Sequence, residues 1–383
     1  MTNPLLSGLR VLDLTRLLPG PFCTLYLAQM SAEVIKVEEP NGGDYARSLS
    51  PELFALLNRG KKSVALDLRR PEHAALFRKM TESADVVIES FRPGTMEKLG
   101  CGYETLKEAN PRLVYAALTG YGQTGPYRDR AGHDMNYCGY AGALDQTGTR
   151  GGPPALSNFQ MADLAGGALT CAVGILAAVI GAKASGTGSF VDVGMLDGTL
   201  ALQVMALATM RTLGHTNARG NDLLTGALPN YSVYECADGR HVAMAALEPK
   251  FFLNFCAAVN RPDLARMPLA PGAGSAALHV ELTALFKTLP RDAWEDLLGD
   301  KDCCVSAIYT PEEAIDGEQV RARGLVESKG KPAFKLPIRF SGDLSPSGAT
   351  KNSPALGADT QAVLRAAGVG EAELATLAGG RTM

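Results

Sequence analysis

Two residues stand out for chemistry: His133, in the run Gly132-His133-Asp134-Met135-Asn136-Tyr137, and Asp163, in Ala162-Asp163-Leu164-Ala165-Gly166-Gly167. A loop imidazole between Gly132 and Asp134 suits a general base, because histidine exchanges its proton near neutral pH. The plainer alternative is a surface histidine bonded to its neighbour. Asp163 directly precedes an uncharged apolar run, so it can serve as an N-cap that accepts free backbone N–H groups. As a site residue it would instead stand beside the amides of Leu164 to Gly167, where two glycines let a developing oxyanion come close. Glu248 precedes Pro249, a residue that suits the first turn of a helix; it can either orient an imidazole or cap that helix.

The elements that must position these groups follow from the apolar pattern. Leu9–Leu14, Val34–Val37, Val64–Leu68, Val86–Glu89 and Val114–Thr119 read as strands, with helical stretches such as Pro71–Ser83 between them. Unbroken apolar runs suit parallel strands covered on both faces, so an α/β, Rossmann-like open sheet is expected, with ligands outside its carboxyl ends. No G-x-G-x-x-G follows the first strand; Pro19-Gly20-Pro21 stands there, which argues against a dinucleotide. Leu164 to Ala182 reads as a helix buried on all sides rather than a membrane span, being rich in Gly and Ala and bracketed by Asp163 and Lys183. Ser189–Val193 reads as a strand and Met195–Met210 as a helix whose Met195, Met205 and Met210 suit a core more readily than a ligand surface. Gly214–Pro229 reads as a linker. Ser232–Cys236 and His241–Ala245 around Ala237-Asp238-Gly239-Arg240 then signal a hairpin that opens a smaller α+β domain. The expected division is 1–215, 216–325 and a segment 326–383 that returns to the large domain. Met267–Ala277 reads as a loop, and the chain from Lys351 onward as an Ala/Gly-rich tail.

Composition narrows the function classes. With 37 basic and 40 acidic residues the net charge is -3, so no global field gathers nucleic acid. The eight cysteines are scattered without a C-x-x-C pair, which suits reduced thiols rather than a disulfide framework or a zinc site. No secretory pattern opens the sequence, and a cytoplasmic protein without a membrane segment is expected. Lys36, Arg59, Lys61, Lys62, Arg69, Arg92 and Lys98 all fall near strand ends, where a phosphate-rich ligand could meet them. His73, His215 and His241 have no motif around them and read as structural.

Taken in order, Leu6-Ser7-Gly8-Leu9-Arg10-Val11, Pro19-Gly20-Pro21-Phe22, Arg92-Pro93-Gly94, Thr119 to Pro126, Gly132 to Tyr137, Ala162 to Gly167 and Tyr234 to Gly239 resemble the class III CoA-transferase (CaiB/BaiF-like) family. The Gly132–Tyr137 run and Leu247-Glu248-Pro249 look like its α-methylacyl-CoA racemase branch. The resemblance implies a large Rossmann-like domain and a small domain, interlocked with a second copy, and an acyl-CoA substrate with no separate cofactor or metal. It further implies His133 and Asp163 as the proton-transfer residues and Glu248 as the acid paired with the histidine. CoA contacts are implied at Lys36, Leu66, Asp67, Leu68, Arg69, Ser90, Phe91, Arg92, Lys98, and Gly132 through Tyr137. Lys36 and Lys98 stand where relatives commonly carry Arg, which removes the bidentate fork. The activity so implied is epimerisation of (R)- and (S)-2-methylacyl-CoA by two-base 1,1-proton transfer through an enolate. The rivals are CoA transfer with Asp163 as nucleophile and a non-catalytic acyl-CoA-binding protein.

Overall fold

Six short strands, β1 (Arg10–Asp13), β2 (Glu33–Glu38), β3 (Lys62–Ala65), β4 (Val86–Glu89), β5 (Val114–Thr119) and β6 (Phe190–Gly194), form one parallel sheet in the order β3-β2-β1-β4-β5-β6. This is seen in a computed structural model that describes residues 5–327, 331–341 and 352–378. The strand order reverses between β1 and β4, and in such sheets ligands collect outside the strands' carboxyl ends at that point. β1, β2, β4 and β5 are buried along almost their whole length, as expected of parallel strands covered on both faces.

Chain contacts divide the molecule into two units. The first holds the described residues up to Ala143, Ser157–Gln203, and those from Gly324 onward; the second holds Leu144–Leu156 and Val204–Arg323. The second unit therefore starts earlier than residue 216, and it takes in an excursion at 144–156 that no linker composition announces. The C-terminal part lies on the first unit. Ser63 N–H donates to Asp359 Oδ2 at 2.9 Å, and Val363, Leu364, Val369 and Leu374 join the core on one face of the sheet. Of the expected Ala/Gly-rich tail, residues 352–378 are described and include the helices Thr360–Ala366 and Glu371–Ala378; 379–383 lie outside the described residues.

In the second unit β7 (Tyr231–Glu235) and β8 (His241–Ala245) pair antiparallel as a hairpin, and β9 (Val305–Ala307) adds a third strand. Tyr234, Phe252, Phe255, Phe286 and Trp294 fill its core. The stretch 267–277 is not wholly irregular: Gly272–Ser275 forms a short 3-10 turn leading into the helix Ala276–Phe286.

Three expectations about helices change. The apolar helix runs Ala162–Ser185, and its first eight residues, Ala162–Leu169, are π-helical. Asp163 therefore lies inside its first turn rather than capping it. The helix is also not buried on all sides. Cys171, Ala172, Ile175, Val179 and Ala182 face inward, with the sheet among the packing partners, while Val173 and Ile180 are 68% and 70% exposed. It is long and apolar enough to cross a membrane, yet one face is committed to protein. Lastly, the expected Met195–Met210 helix is two. Met195–Ala201 ends where Leu202 N–H turns back to Gly198 and Thr199, and Val204–Leu213 begins after Gln203, whose side chain donates to the Ala141 carbonyl at 3.0 Å. Met195 is buried, but Met205 and Met210 are about half exposed, so only the first has a core role.

Candidate active site

Asp163 is placed by an unusually close helix crossing. A Cβ on Gly198 would fall 1.9 Å from the Gly166 carbonyl oxygen, and one on Gly166 would meet Thr199 Oγ1 at 2.4 Å. Only two bare backbones can approach this closely, and the crossing fixes the start of the helix against Met195–Ala201. π-Helical turns of this kind recur at functional sites, where they displace a side chain from the regular α register.

His133 precedes the helix Asp134–Tyr140, in extended backbone, and its N–H donates to Asn136 Oδ1 at 3.0 Å. The two candidate groups are linked through Asp134. Its Oδ1 accepts the N–H groups of Ala162 at 2.7 Å and Asp163 at 3.0 Å, so the residue after His133 caps the helix that carries Asp163. Asp134 thus performs the capping task that sequence offered to Asp163. The amides proposed to hold an oxyanion are largely committed: Leu164 N–H donates to the Gln160 carbonyl at 2.9 Å, and π-helical bonding engages those that follow.

Both groups line one cleft of about 610 Å³ in the first unit, together with Arg16, Arg92, Arg128 and Arg130. Burial, and after it the like charge of Asp134, pushes the Asp163 carboxyl up to about 7. A carboxyl that exchanges its proton at neutral pH is what general acid–base work requires. A neighbouring hollow of about 390 Å³ shares Arg16, Tyr45 and Phe91 with the cleft. At this junction the Arg16 guanidinium lies over the rings of Tyr45 and Phe91 at 5.0 and 4.9 Å. The four arginines suit an anionic ligand with several phosphates.

The residues implied for CoA fall into distinct places. Ser90, Phe91, Arg92, Gly132, His133 and Tyr137 line the cleft, and Leu66, Asp67, Leu68 and Arg69 line the adjoining hollow. Arg69 already pairs with Asp67 at 2.7 Å but keeps a side chain 67% exposed. Met135 and Asn136 are exposed beside His133. Lys98 is exposed on Thr95–Lys98 and lines neither space. Lys36 is different in kind: fully buried, it donates to the Thr15 carbonyl at 2.8 Å and pairs with Asp44 at 2.9 Å. Its charge is spent inside the protein, so a phosphate contact there does not fit this structure. Glu248 lies in the second unit before Pro249–Ala258, exposed, and its carboxylate makes no capping bond. Arg16, Arg128 and Arg130 were not selected from sequence. Arg16 satisfies the same strand-end criterion as the others, and Arg128 and Arg130 stand just ahead of Gly132.

An open parallel sheet, an arginine-rich cleft at its carboxyl edge and a carboxyl poised to exchange protons define an α/β enzyme acting on an anionic ligand. Comparison with known proteins narrows this. The CoA-transferase family III model matches residues 6–360, and the chain belongs to that family. It is 33% identical over 377 residues to alpha-methylacyl-CoA racemase of Homo sapiens, covering 96% of this chain and 95% of that one. It is 35% identical to succinyl-CoA:mesaconate CoA-transferase of Haloarcula hispanica, over 92% of each. A CAIB/BAIF family protein from Brucella suis superposes with a TM-score of 0.84 at 30% identity, covering 96% of this chain and all of that one. The chain is thus an enzyme of the CoA-transferase and racemase family.

Proposed function

We propose that the protein epimerises 2-methylacyl-CoA thioesters. Inversion at the α-carbon requires a proton removed from one face and another delivered to the opposite face, so two acid/base groups must flank one carbon. The observation that carries the reading is that His133 and Asp163 line the same cleft, with the Asp163 carboxyl held up to about 7. Neutral His133 takes the α-proton from one enantiomer while protonated Asp163 gives its proton to the other face; the reverse states serve the reverse direction. The arginines hold the CoA phosphates. Glu248, exposed and uncommitted, pairs with His133 from the small unit of a second, interlocked copy. The apolar faces at Val173, Ile180, Val204 and Leu207, all more than half exposed in the single chain, suit burial against that copy.

CoA transfer is the second reading, favoured by relatives such as the mesaconate transferase at similar identity. There Asp163 attacks the thioester carbonyl and CoA thiolate leaves; the thiolate then attacks the Asp163 carbonyl of the mixed anhydride and releases the donor acid, and the resulting Asp163–CoA thioester passes CoA to the acceptor carboxylate through a second anhydride. Deuterium entering C2 of a 2-methylacyl-CoA in heavy water without an acceptor acid supports epimerisation. Absence of that exchange, with CoA moving to an added carboxylate, overturns it.

A further inference from the structure

Glu89 closes β4 at the carboxyl edge of the sheet, in register with Ala117 of β5, and only 5% of it is exposed. Val87 and Ala117, on the same face of the sheet, belong to the core. A carboxyl set among such neighbours is costly unless a hydrogen bond gives it a task. Glu89 lines neither the cleft nor the adjoining hollow, yet the three residues after it, Ser90, Phe91 and Arg92, all line the cleft. Its side chain turns back on that segment, where Oε2 accepts the Phe91 N–H at 2.7 Å. Burial pushes the carboxyl up to about 8, against the pull of the Phe91 N–H and helped by the charge of Glu97, so at neutral pH the group is mostly protonated. The segment so held in turn holds Arg16. Ser90 Oγ accepts the Arg16 N–H at 3.3 Å, and the Arg16 guanidinium lies over the Phe91 ring at 4.9 Å. Of the four cleft arginines, Arg16 is the one that also lines the hollow, so a ligand that spans both spaces must pass it.

From this chain of contacts we infer that Glu89 is a positioning residue for CoA binding: its buried carboxyl fixes the turn at Ser90 and Phe91, and that turn aims the Arg16 guanidinium at the phosphates. The inference rests on the acyl-CoA reading of the cleft and holds whichever reaction follows. Glu89 touches no ligand itself. It acts through one backbone N–H, and a guanidinium set over a ring and tied by its own N–H loses little freedom when it meets a phosphate.

Calorimetric titration of CoA at neutral pH into a double-mutant cycle tests this. Glu89→Met fills the same space without an acceptor and, by releasing the turn, should weaken CoA about tenfold, roughly the worth of one hydrogen bond. Glu89→Gln keeps an acceptor oxygen and a donor, as the protonated carboxyl does, and should stay within about twofold of wild type. Arg16→Gln should weaken CoA at least as much as Glu89→Met, and combining the two should weaken it no further, because the guanidinium to be aimed is gone. Ser90→Ala leaves the buried carboxyl in place and breaks the chain one step later, so the same contacts are probed even where the methionine does not fold. It too should weaken CoA beside Arg16 and have no effect beside Arg16→Gln. Equal weakening with and without Arg16, or no weakening by either variant, overturns the inference and leaves Glu89 a role in the fold alone. Wild type that binds no CoA removes the acyl-CoA reading and this inference with it. Failure of the epimerase reading shows instead as absent C2 exchange with the binding pattern intact.

Discussion

At the scale of single residues, the proposed chemistry turns on proton affinities. Because Asp163 titrates near 7 in the folded chain and near 3.8 when unfolded, the native state holds an extra proton between those values. Stability contributed by this group therefore falls as pH rises from about 4 to about 7, and the penalty is complete above that range. Asp163→Asn should gain on wild type in urea midpoint as pH is raised from 5 to 8, with the difference smallest at the acid end. Asp134 raises Asp163 through its charge and places it through its Oδ1, and the two effects separate in Asp134→Asn, which keeps the acceptor. The pH–rate limb assigned to Asp163 should move to lower pH in that variant while KM changes little; an unmoved limb would remove Asp134 from the tuning. His133→Ala should lower α-proton exchange from the enantiomer whose proton faces His133 by a factor of about 10² to 10⁴, the usual worth of a positioned acid/base group, whereas a transferase using Asp163 alone would be spared.

Elements explain which parts of this were legible beforehand. Strands β1, β2, β4, β5 and the hairpin β7–β8 announce themselves by unbroken apolar runs or a turn signal, and the structure places them within about two residues of expectation. The π-helical start at Ala162 could not be read, because it depends on Gly166 meeting Gly198, a contact between elements about thirty residues apart in sequence. The same distance hid Asp134 as the cap and left Asp163 as the obvious candidate for that task. Lys36 misled for a related reason: its strand-end position matches a phosphate ligand, but its partners, the Thr15 carbonyl brought by β1 and Asp44 in the turn after β2, become visible only in the fold. Gly198→Ala should destabilise by about 1–3 kcal/mol, the ordinary cost of overpacking, and lower turnover through displacement of Asp163. At the end of β1, Lys61 touches Asp13 at 3.2 Å, Thr24 at 2.7 Å and Asn58 at 2.9 Å, all buried. Burial opposes the Asp13 charge, yet Lys61 and Lys36 outweigh it and hold the carboxyl well below its usual range. Asp13→Ala leaves the buried Lys61 with neutral partners and no counter-charge, and should cost about 3–5 kcal/mol in denaturant titration.

On the scale of the whole molecule, the chain keeps its proposed acid/base pair in one unit and Glu248 in the other, and leaves an apolar helix, Val204–Leu213, without a buried residue. The proposed second copy would account for both facts. If Glu248 acts across subunits, Asp163→Ala and Glu248→Ala homodimers are each impaired, but refolding them together restores activity, because one site of the mixed dimer has both groups intact. No recovery on mixing would place Glu248 within its own chain or outside the site. The seams between the two units carry no compositional signal, since the excursion at 144–156 has no such mark. Whether His133 and Asp163 face opposite sides of one carbon is decided by following deuterium entry at C2 from each pure enantiomer of a 2-methylacyl-CoA. His133→Ala should stop exchange from one enantiomer and Asp163→Asn from the other, with inversion lost in both variants. Equal loss of exchange from both enantiomers in each variant, or no effect of His133→Ala, would contradict it.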